Sequence, residues 1–80
     1  MRISIIGFGI AKDILGASEI QLEIQDSASV ADLKIKLYEQ FPEFEKLRSL
    51  AIAVNSEYAA DDLNLDQKDD IVLIPPVSGG

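Results

Sequence analysis

The sequence predicts an α+β fold in which a small mixed sheet of four to five strands packs over one main helix. Two observations carry the prediction: several short segments alternate apolar and polar side chains, and one longer segment repeats apolar residues at helical spacing. The 80 residues suffice for one domain. With 48% hydrophobic residues spread along the chain, we expect a folded core and not a disordered linker.

The first elements are predicted to be a strand and a short helix. Over residues 2–6, Ile3 and Ile5 alternate with polar neighbours, which is typical of a strand with one wet face. Residues 10–15 then show a short helical spacing, and Gly16 stands where a helix C-cap is expected. A second alternating segment, residues 20–24, predicts a strand antiparallel to the first.

The main helix is predicted to follow Ser29. Ser29 and Asp32 have the spacing of a capping box, and Asp32 is also well placed for an ion pair with Lys36 one turn later. Pro42 should stop the helix near Gln40. The apolar stripe expected to face the sheet consists of Val30, Leu33, Leu37 and Phe41.

The second half of the chain is predicted to complete the sheet. Residues 50–55 form an apolar run that indicates a buried third strand, and residues 57–59 favour a short edge strand. The last strand is expected at residues 71–74, and a central position would hold its end firmly. The predicted domain therefore spans residues 1–74, and residues 75–80 form a tail outside the core.

Composition excludes several classes of function. Cysteine and histidine are absent, so disulfides, thiolate nucleophiles, Cys-based zinc or iron–sulfur sites and Ser-His relays are excluded. A net charge of −7 disfavours nucleic acid and anionic membranes and favours a basic partner. Because no apolar run approaches the length of a membrane span and no signal-peptide pattern opens the chain, a cytoplasmic location is expected.

Two apparent binding motifs lack residues that their function requires. Residues 7–12 begin like a dinucleotide-binding fingerprint, but Lys12 occupies the position of its last glycine. Residues 62–66 match the first three alternating ligands of a calcium-binding loop, yet Gln67 replaces the turn glycine and Leu73 the bidentate glutamate. We therefore expect no bound cofactor and no metal site.

The strongest functional signal is the C-terminal segment, Pro75-Pro76-Val77-Ser78-Gly79-Gly80. Each proline fixes φ and lacks an N–H, so the pair should end the last strand and hold the tail away from the sheet. Gly79 and Gly80 have no Cβ and can thread a narrow slot. The carboxylate of Gly80 is therefore the main candidate reactive group; the alternative is an ordinary frayed terminus.

Three further residues are candidates for partner docking: Phe8, Tyr58 and Ile74. Each lies at the edge of a predicted element, where a core role and an exposed contact role are both open. If they share one face near the tail, they would form an apolar patch of the kind that marks interaction sites.

The tail and other segments resemble one known family. Residues 71–80 closely resemble the terminus of the small subunit of molybdopterin synthase, a sulfur carrier with the ubiquitin-like β-grasp fold. Residues 8–16 look like that family's segment after the first strand, and residues 53–55 like its central strand ending, so the resemblance covers nearly the whole chain. Gly7 and Ile74 stand where related sequences often carry bulky or aromatic residues, which implies a smaller or differently shaped docking patch.

The resemblance implies a chemistry for the tail. A ubiquitin-activating-like enzyme would adenylate the Gly80 carboxylate with ATP and magnesium, and a sulfur donor would then convert it to a thiocarboxylate. The inserted segment, Pro75 to Gly79, would enter the large subunit, where the sulfur passes to cyclic pyranopterin monophosphate. The family assembly is a heterotetramer around a dimer of large subunits, and the small subunit is its non-catalytic component.

Other functions stay open at this point. The chain could carry sulfur for another pathway, such as thiamine synthesis, or become attached to target lysines as a ubiquitin-like modifier, because both groups also end in diglycine. A β-grasp binding module with an inactive tail is the remaining alternative.

Overall fold

The structure, a computed structural model, describes residues 1–76. Its elements in chain order are β1 (Arg2–Gly7), α1 (Gly9–Leu15), β2 (Glu19–Glu23), α2 (Val30–Gln40), a 3-10 helix (Pro42–Lys46), β3 (Ala51–Val54), β4 (Glu57–Tyr58) and β5 (Ile71–Ile74). Among these residues, no helix is both long enough and apolar enough to cross a bilayer.

The five strands form one mixed sheet in the order β2-β1-β5-β3-β4. β5 runs parallel to β1 and antiparallel to β3, whereas β1 and β2 pair antiparallel. With α2 packed on one face of this sheet, the architecture is the ubiquitin-like β-grasp arrangement. The predicted α+β class, the antiparallel first pair and the central position of the last strand are confirmed.

The sequence around Ser29 explains where α2 begins. The Ser29 hydroxyl accepts a hydrogen bond from the Asp32 N–H at 3.2 Å, and the Asp32 carboxylate accepts one from the Ser29 N–H at 2.9 Å. This is the predicted capping box. The predicted Asp32–Lys36 ion pair is wrong, because Asp32 turns back towards the helix start; none of the ion pairs among residues 1–76 joins the two. Instead, Lys34 pairs with Asp61 at 2.9 Å.

The core lies between α2 and the inner face of the sheet. Val30, Leu33 and Leu37 are fully buried there, together with the inward side chains of β1 and β5. Phe41 is only partly buried and caps the end of α2, where its ring meets Phe44 edge-on at a centroid distance of 6.1 Å. The 3-10 helix was not predicted, although its Phe44 is among the most buried side chains.

Two turns set the ends of the remaining elements. Gly16 closes α1 with φ of 81°, a left-handed conformation that glycine adopts without Cβ strain, as predicted. Asn55 and Ser56 have φ of 53° and 71° and form the two-residue turn between β3 and β4. Asn55 therefore belongs to the turn and not to the third strand.

Candidate docking face and tail exit

The tail leaves the sheet from its most central strand. Leu73 in β5 pairs with Gly7 on one side, and Ile74 pairs with Ala51 on the other. Pro75 follows directly and ends the strand. Hydrogen-bonded neighbours on both sides thus fix the position and direction of the last strand residues. Pro75 and Pro76 are half-buried, whereas the predicted roles of Val77, Ser78, Gly79 and Gly80 fall outside the described residues.

The sheet face opposite α2 carries a row of apolar residues beside this exit. Directly paired residues on neighbouring strands point to the same face. Val72 lies between Ile6 and Ala53 in one row, and Tyr58 lies beyond Ala53 at the sheet edge. Ile74 lies in the next row towards the tail.

Phe8 joins the same face at the end of β1. Its backbone is extended, with φ of −124° and ψ of 155°, so its side chain lies on the face of Ile6 and not on the inner face, where Gly7 lies. Together these residues form what we call the outer-face patch: Ile6, Phe8, Ala51, Ala53, Tyr58, Val72 and Ile74. The structure thus places the three candidate docking residues on one face; their docking role stays a prediction.

The outer-face patch is accessible to a partner. Phe8 is 61% exposed and Tyr58 is 73% exposed, while Ile6, Val72 and Ile74 are half-buried. No described element covers this face, since α2 packs on the opposite one. A contiguous apolar surface with two exposed aromatic rings is the type of surface from which interface hot spots are built.

Polar pairs border the patch on the β2 side. Arg2 and Glu23 form an ion pair of 3.2 Å, and the Gln21 amide donates to the Ser4 hydroxyl at 2.6 Å. These four exposed or half-exposed side chains lie on the same outer face, in registers next to Ile6. The face therefore has an apolar centre and a hydrophilic border, as protein interfaces commonly do.

Gly7 does not belong to the patch, so the expectation that it shapes the docking surface is wrong. It is buried on the inner face beneath α1. A Cβ at this position would lie 2.9 Å from Leu15 Cδ1 and 3.1 Å from the Lys12 backbone nitrogen. Glycine is needed here because α1 packs directly on the strand.

The sequence interpretation missed Ile6 and Val72 as members of the face. Both had a signal. Ile6 breaks the alternation of β1 by placing an apolar side chain on the side of Arg2 and Ser4. Val72 lies in an uninterrupted apolar run, which is typical of a central strand with apolar residues on both faces.

The acidic segment before β5 forms a hydrogen-bonded turn. The Asp69 carboxylate accepts from the Asp66 N–H at 2.7 Å and from the Asn55 amide at 3.0 Å. The side-chain amide oxygen of Asn55, Oδ1, in turn accepts from the Asp70 N–H at 3.0 Å. These contacts tie the β3–β4 turn to the start of β5 and so support the strand that carries the tail.

Comparison with known proteins shows the family. The sequence model of the ThiS family matches residues 5–80. The chain belongs to the ThiS family. This ThiS-family protein is 28% identical over 81 residues to the molybdopterin synthase sulfur carrier subunit of Arabidopsis thaliana, an alignment that covers 100% of this chain and 84% of the relative. The resemblance to the small subunit of molybdopterin synthase is therefore confirmed.

Two solved structures place the ThiS-family protein among its structural neighbours. One is a chain of the complex of subunits 1 and 2 of the molybdopterin-converting factor from Helicobacter pylori, with a TM-score of 0.69, 27% identity and full coverage of both chains. The other is small archaeal modifier protein 1 from Haloferax volcanii, with a TM-score of 0.80, 19% identity, and coverage of 95% of this chain and 98% of that chain. The second likeness shows the fold alone.

Proposed function

We propose that this protein is the sulfur carrier subunit of a molybdopterin synthase and that its Gly80 carboxylate carries the sulfur as a thiocarboxylate. The observation that carries the proposal is the family match through residue 80, together with relatives that are sulfur carrier subunits. The exit of the tail from the centre of the sheet supports it, because a reactive terminus needs a firm base.

The chemistry starts from a carboxylate, which is a poor electrophile until one oxygen becomes a leaving group. An adenylating enzyme of the ubiquitin-activating type joins the Gly80 carboxylate to AMP from ATP with magnesium and releases pyrophosphate. Sulfur at the oxidation level of hydrosulfide then attacks the carbonyl carbon and loses its proton, AMP departs as the leaving group, and Gly80 keeps a thiocarboxylate. This chain binds no cofactor of its own in the proposed scheme.

The thiocarboxylate is then used on another subunit. The tail from Pro75 to Gly80 enters the active site of the large subunit, where its sulfur bonds to cyclic pyranopterin monophosphate. Water then cleaves the bond between the Gly80 carbonyl carbon and sulfur, so the sulfur stays on the pterin and Gly80 returns to a carboxylate. The outer-face patch docks against the large subunit and sets the depth of insertion, with Phe8, Tyr58 and Ile74 in the contact. A complex of two subunits among the structural neighbours supports this partner, and the full assembly would be a heterotetramer in the cytoplasm.

The test is intact-mass analysis of the protein after co-expression with an adenylating enzyme of demonstrated activity. We expect the mass increase of one oxygen replaced by sulfur, located on Gly80 by fragmentation of the C-terminal peptide. The matched control lacks Gly79 and Gly80 and must show no increase. An unchanged mass of the full chain under these conditions would contradict the proposal.

The same experiment separates a carrier of sulfur from a protein modifier. A modifier would appear as isopeptide adducts between Gly80 and lysines of other proteins, which tryptic mass spectrometry detects as residual C-terminal residues on the target lysine. Purified large subunit and cyclic pyranopterin monophosphate then complete the assay: the thiocarboxylated protein should form molybdopterin, and the carboxylate form should not. Sulfur transfer to a thiamine precursor in place of the pterin would assign the other pathway.

A further inference from the structure

We infer that the free edge of β2 is a second interaction site, which binds an extended segment of a partner protein as an added strand. The site is separate from the outer-face patch and from the tail, and it does not depend on the proposed sulfur chemistry. The inference rests on the hydrogen-bond pattern of β2, on a groove beside α2, and on the charges along the strand.

The hydrogen-bond pattern leaves the outer edge of β2 unpaired. Met1 and Ile24 exchange two backbone hydrogen bonds, of 2.7 and 2.9 Å, at one end of the β1–β2 pair, and Gly7 donates to Ser18 at the other. In an antiparallel pair such exchanging positions alternate with positions whose backbone groups point outwards. The outward positions are Glu19, Gln21 and Glu23.

Six backbone groups are therefore available at regular spacing. The N–H and C=O of Glu19, Gln21 and Glu23 have no backbone or side-chain partner within residues 1–76. β2 has five residues in continuous register, without proline or a bulge, whereas the other edge strand, β4, has only two. Regular, unpaired edges of this kind are the sites at which extended peptides add to a sheet.

A groove lies against α2 just beyond the end of β2. It has a volume of about 200 Å³ and is lined by Ile24, Gln25, Asp32, Ile35, Lys36 and Glu39. Its α2 residues are spaced three and four apart, so they form one stripe of the helix that faces away from the core stripe. Ile35 is 58% exposed, which gives this groove an apolar contact that the fold itself does not use.

The two faces of β2 define the chemistry of the occupant. A strand added to β2 places alternate side chains on the two faces of the sheet. On the outer face they would lie beside Glu19 and Glu23; Glu23 already pairs with Arg2, whereas Glu19 forms no ion pair within residues 1–76, so the position beside Glu19 in particular favours lysine or arginine. On the inner face, the end of the added strand beside Ile24 would border the groove, where Ile35 offers an apolar contact, and this favours an apolar side chain there. The site thus fits a segment of alternating basic and apolar residues from a partner.

A second copy of this chain fits the edge poorly. Two β2 strands paired antiparallel about Gln21 would place Glu19 of each copy directly opposite Glu23 of the other. Like charges directly opposite each other on paired strands are destabilising. The charges therefore allow a basic partner strand and oppose self-association at neutral pH.

The experiment uses the full-length protein and a seven-residue peptide of alternating lysine and valine, acetylated and amidated at its ends. We expect amide NMR signals of Glu19, Gln21 and Glu23 to shift on titration and their hydrogen exchange to slow. A control peptide with the same side chains but every backbone nitrogen methylated should not do this. Binding of both peptides alike would indicate only charge attraction and would overturn the inference.

Substitutions distinguish binding through the backbone edge of β2 from binding through its side chains. Gln21→Pro removes one outward N–H at a position where an edge strand tolerates proline, and should weaken binding about tenfold or more. Gln21→Ala removes the side chain but keeps the N–H, so it should retain binding. Ile35→Ala should also weaken binding, whereas Ile10→Ala, an exposed isoleucine on α1, should not.

Two other outcomes would overturn the inference. Shifts confined to the acidic segment before β5 would place the peptide elsewhere. The second outcome is measured without peptide. If hydrogen exchange at Glu19, Gln21 and Glu23 slows further as the protein concentration rises, the edge binds a second copy of the chain. Sedimentation velocity of the same samples would then show a dimer.

Discussion

Leu37 and Phe8 are both large apolar residues, yet the fold uses them in opposite ways. Leu37 is fully buried between α2 and the sheet, while Phe8 is 61% exposed on the face that α2 does not cover. Burial of apolar area stabilises the folded state, so Leu37 contributes to stability. The apolar area of Phe8 stays in contact with water, so it contributes a favourable free energy only to a complex in which a partner covers it.

Leu37→Ala should lower the free energy of unfolding by about 2 to 5 kcal/mol, because it leaves a cavity that the surrounding core fills only in part. Urea denaturation with a constant m-value measures the change. Ile35→Ala on the exposed side of the same helix is the matched control and should change stability far less. Equal losses in the two variants would contradict the assignment of the core stripe.

Phe8→Ala should leave stability nearly unchanged and weaken binding to the large subunit about tenfold or more, as expected for an aromatic hot spot. Isothermal titration calorimetry with purified large subunit measures the affinity. Ile35→Ala again serves as control, since it removes an exposed apolar side chain from the opposite side of the sheet. Unchanged affinity for Phe8→Ala would remove the residue from the proposed docking contact.

At the scale of elements, the regular strands and the helix start were predictable from the sequence. Alternation identified the faces of β1 and β2, and the capping residues fixed the start of α2. The 3-10 helix was not predicted, although Phe41, Phe44 and Leu47 recur every three residues, because Pro42 was interpreted only as the end of the main helix; the full burial of Phe44 follows from tertiary packing against the end of α2.

Tertiary packing also decided what the sequence left open at the candidate site. Phe8, Tyr58 and Ile74 lie far apart in the chain, and only the strand order and register bring them to one face. Alternation with Ile3 and Ile5 places Gly7 on the inner face once β1 extends to it, whereas the close packing of α1 on this position is visible only in the structure.

Ser29→Ala should destabilise the protein by about 0.5 to 2 kcal/mol, because the Asp32 N–H loses its cap acceptor at the start of α2. Thermal unfolding followed by circular dichroism measures the loss. Ser29→Asp keeps an acceptor at this position and should restore most of the stability. A variant with alanine that melts like the parent protein would show that the capping box contributes little.

At the scale of the whole molecule, the domain and the tail are predicted to have separate tasks. The core residues lie within residues 3–73, and the sheet is complete at Ile74. The described core residues therefore all precede the tail. Stability should belong to the domain and reactivity to the tail.

Deletion of Gly79 and Gly80 should abolish sulfur transfer and change the free energy of unfolding by less than about 0.5 kcal/mol. Chemical denaturation and a molybdopterin-forming assay on the same preparations provide the two measurements. Addition of one glycine after Gly80 is a useful second variant, because it keeps the small residues but moves the carboxylate. A large loss of stability on deletion would refute the separation of tasks.

The central position of β5 has a mechanical consequence. An enzyme that grips the terminus and draws it into a narrow channel pulls along the axis of β5. Because this strand is bonded to β1 on one side and to β3 on the other, such a force acts in shear on both ladders at once and not on one bond after another. Force on a tail attached to an edge strand could break the hydrogen bonds of that strand one at a time. Force on this tail must break the hydrogen bonds of two ladders together, so we expect the domain to stay folded under a larger force.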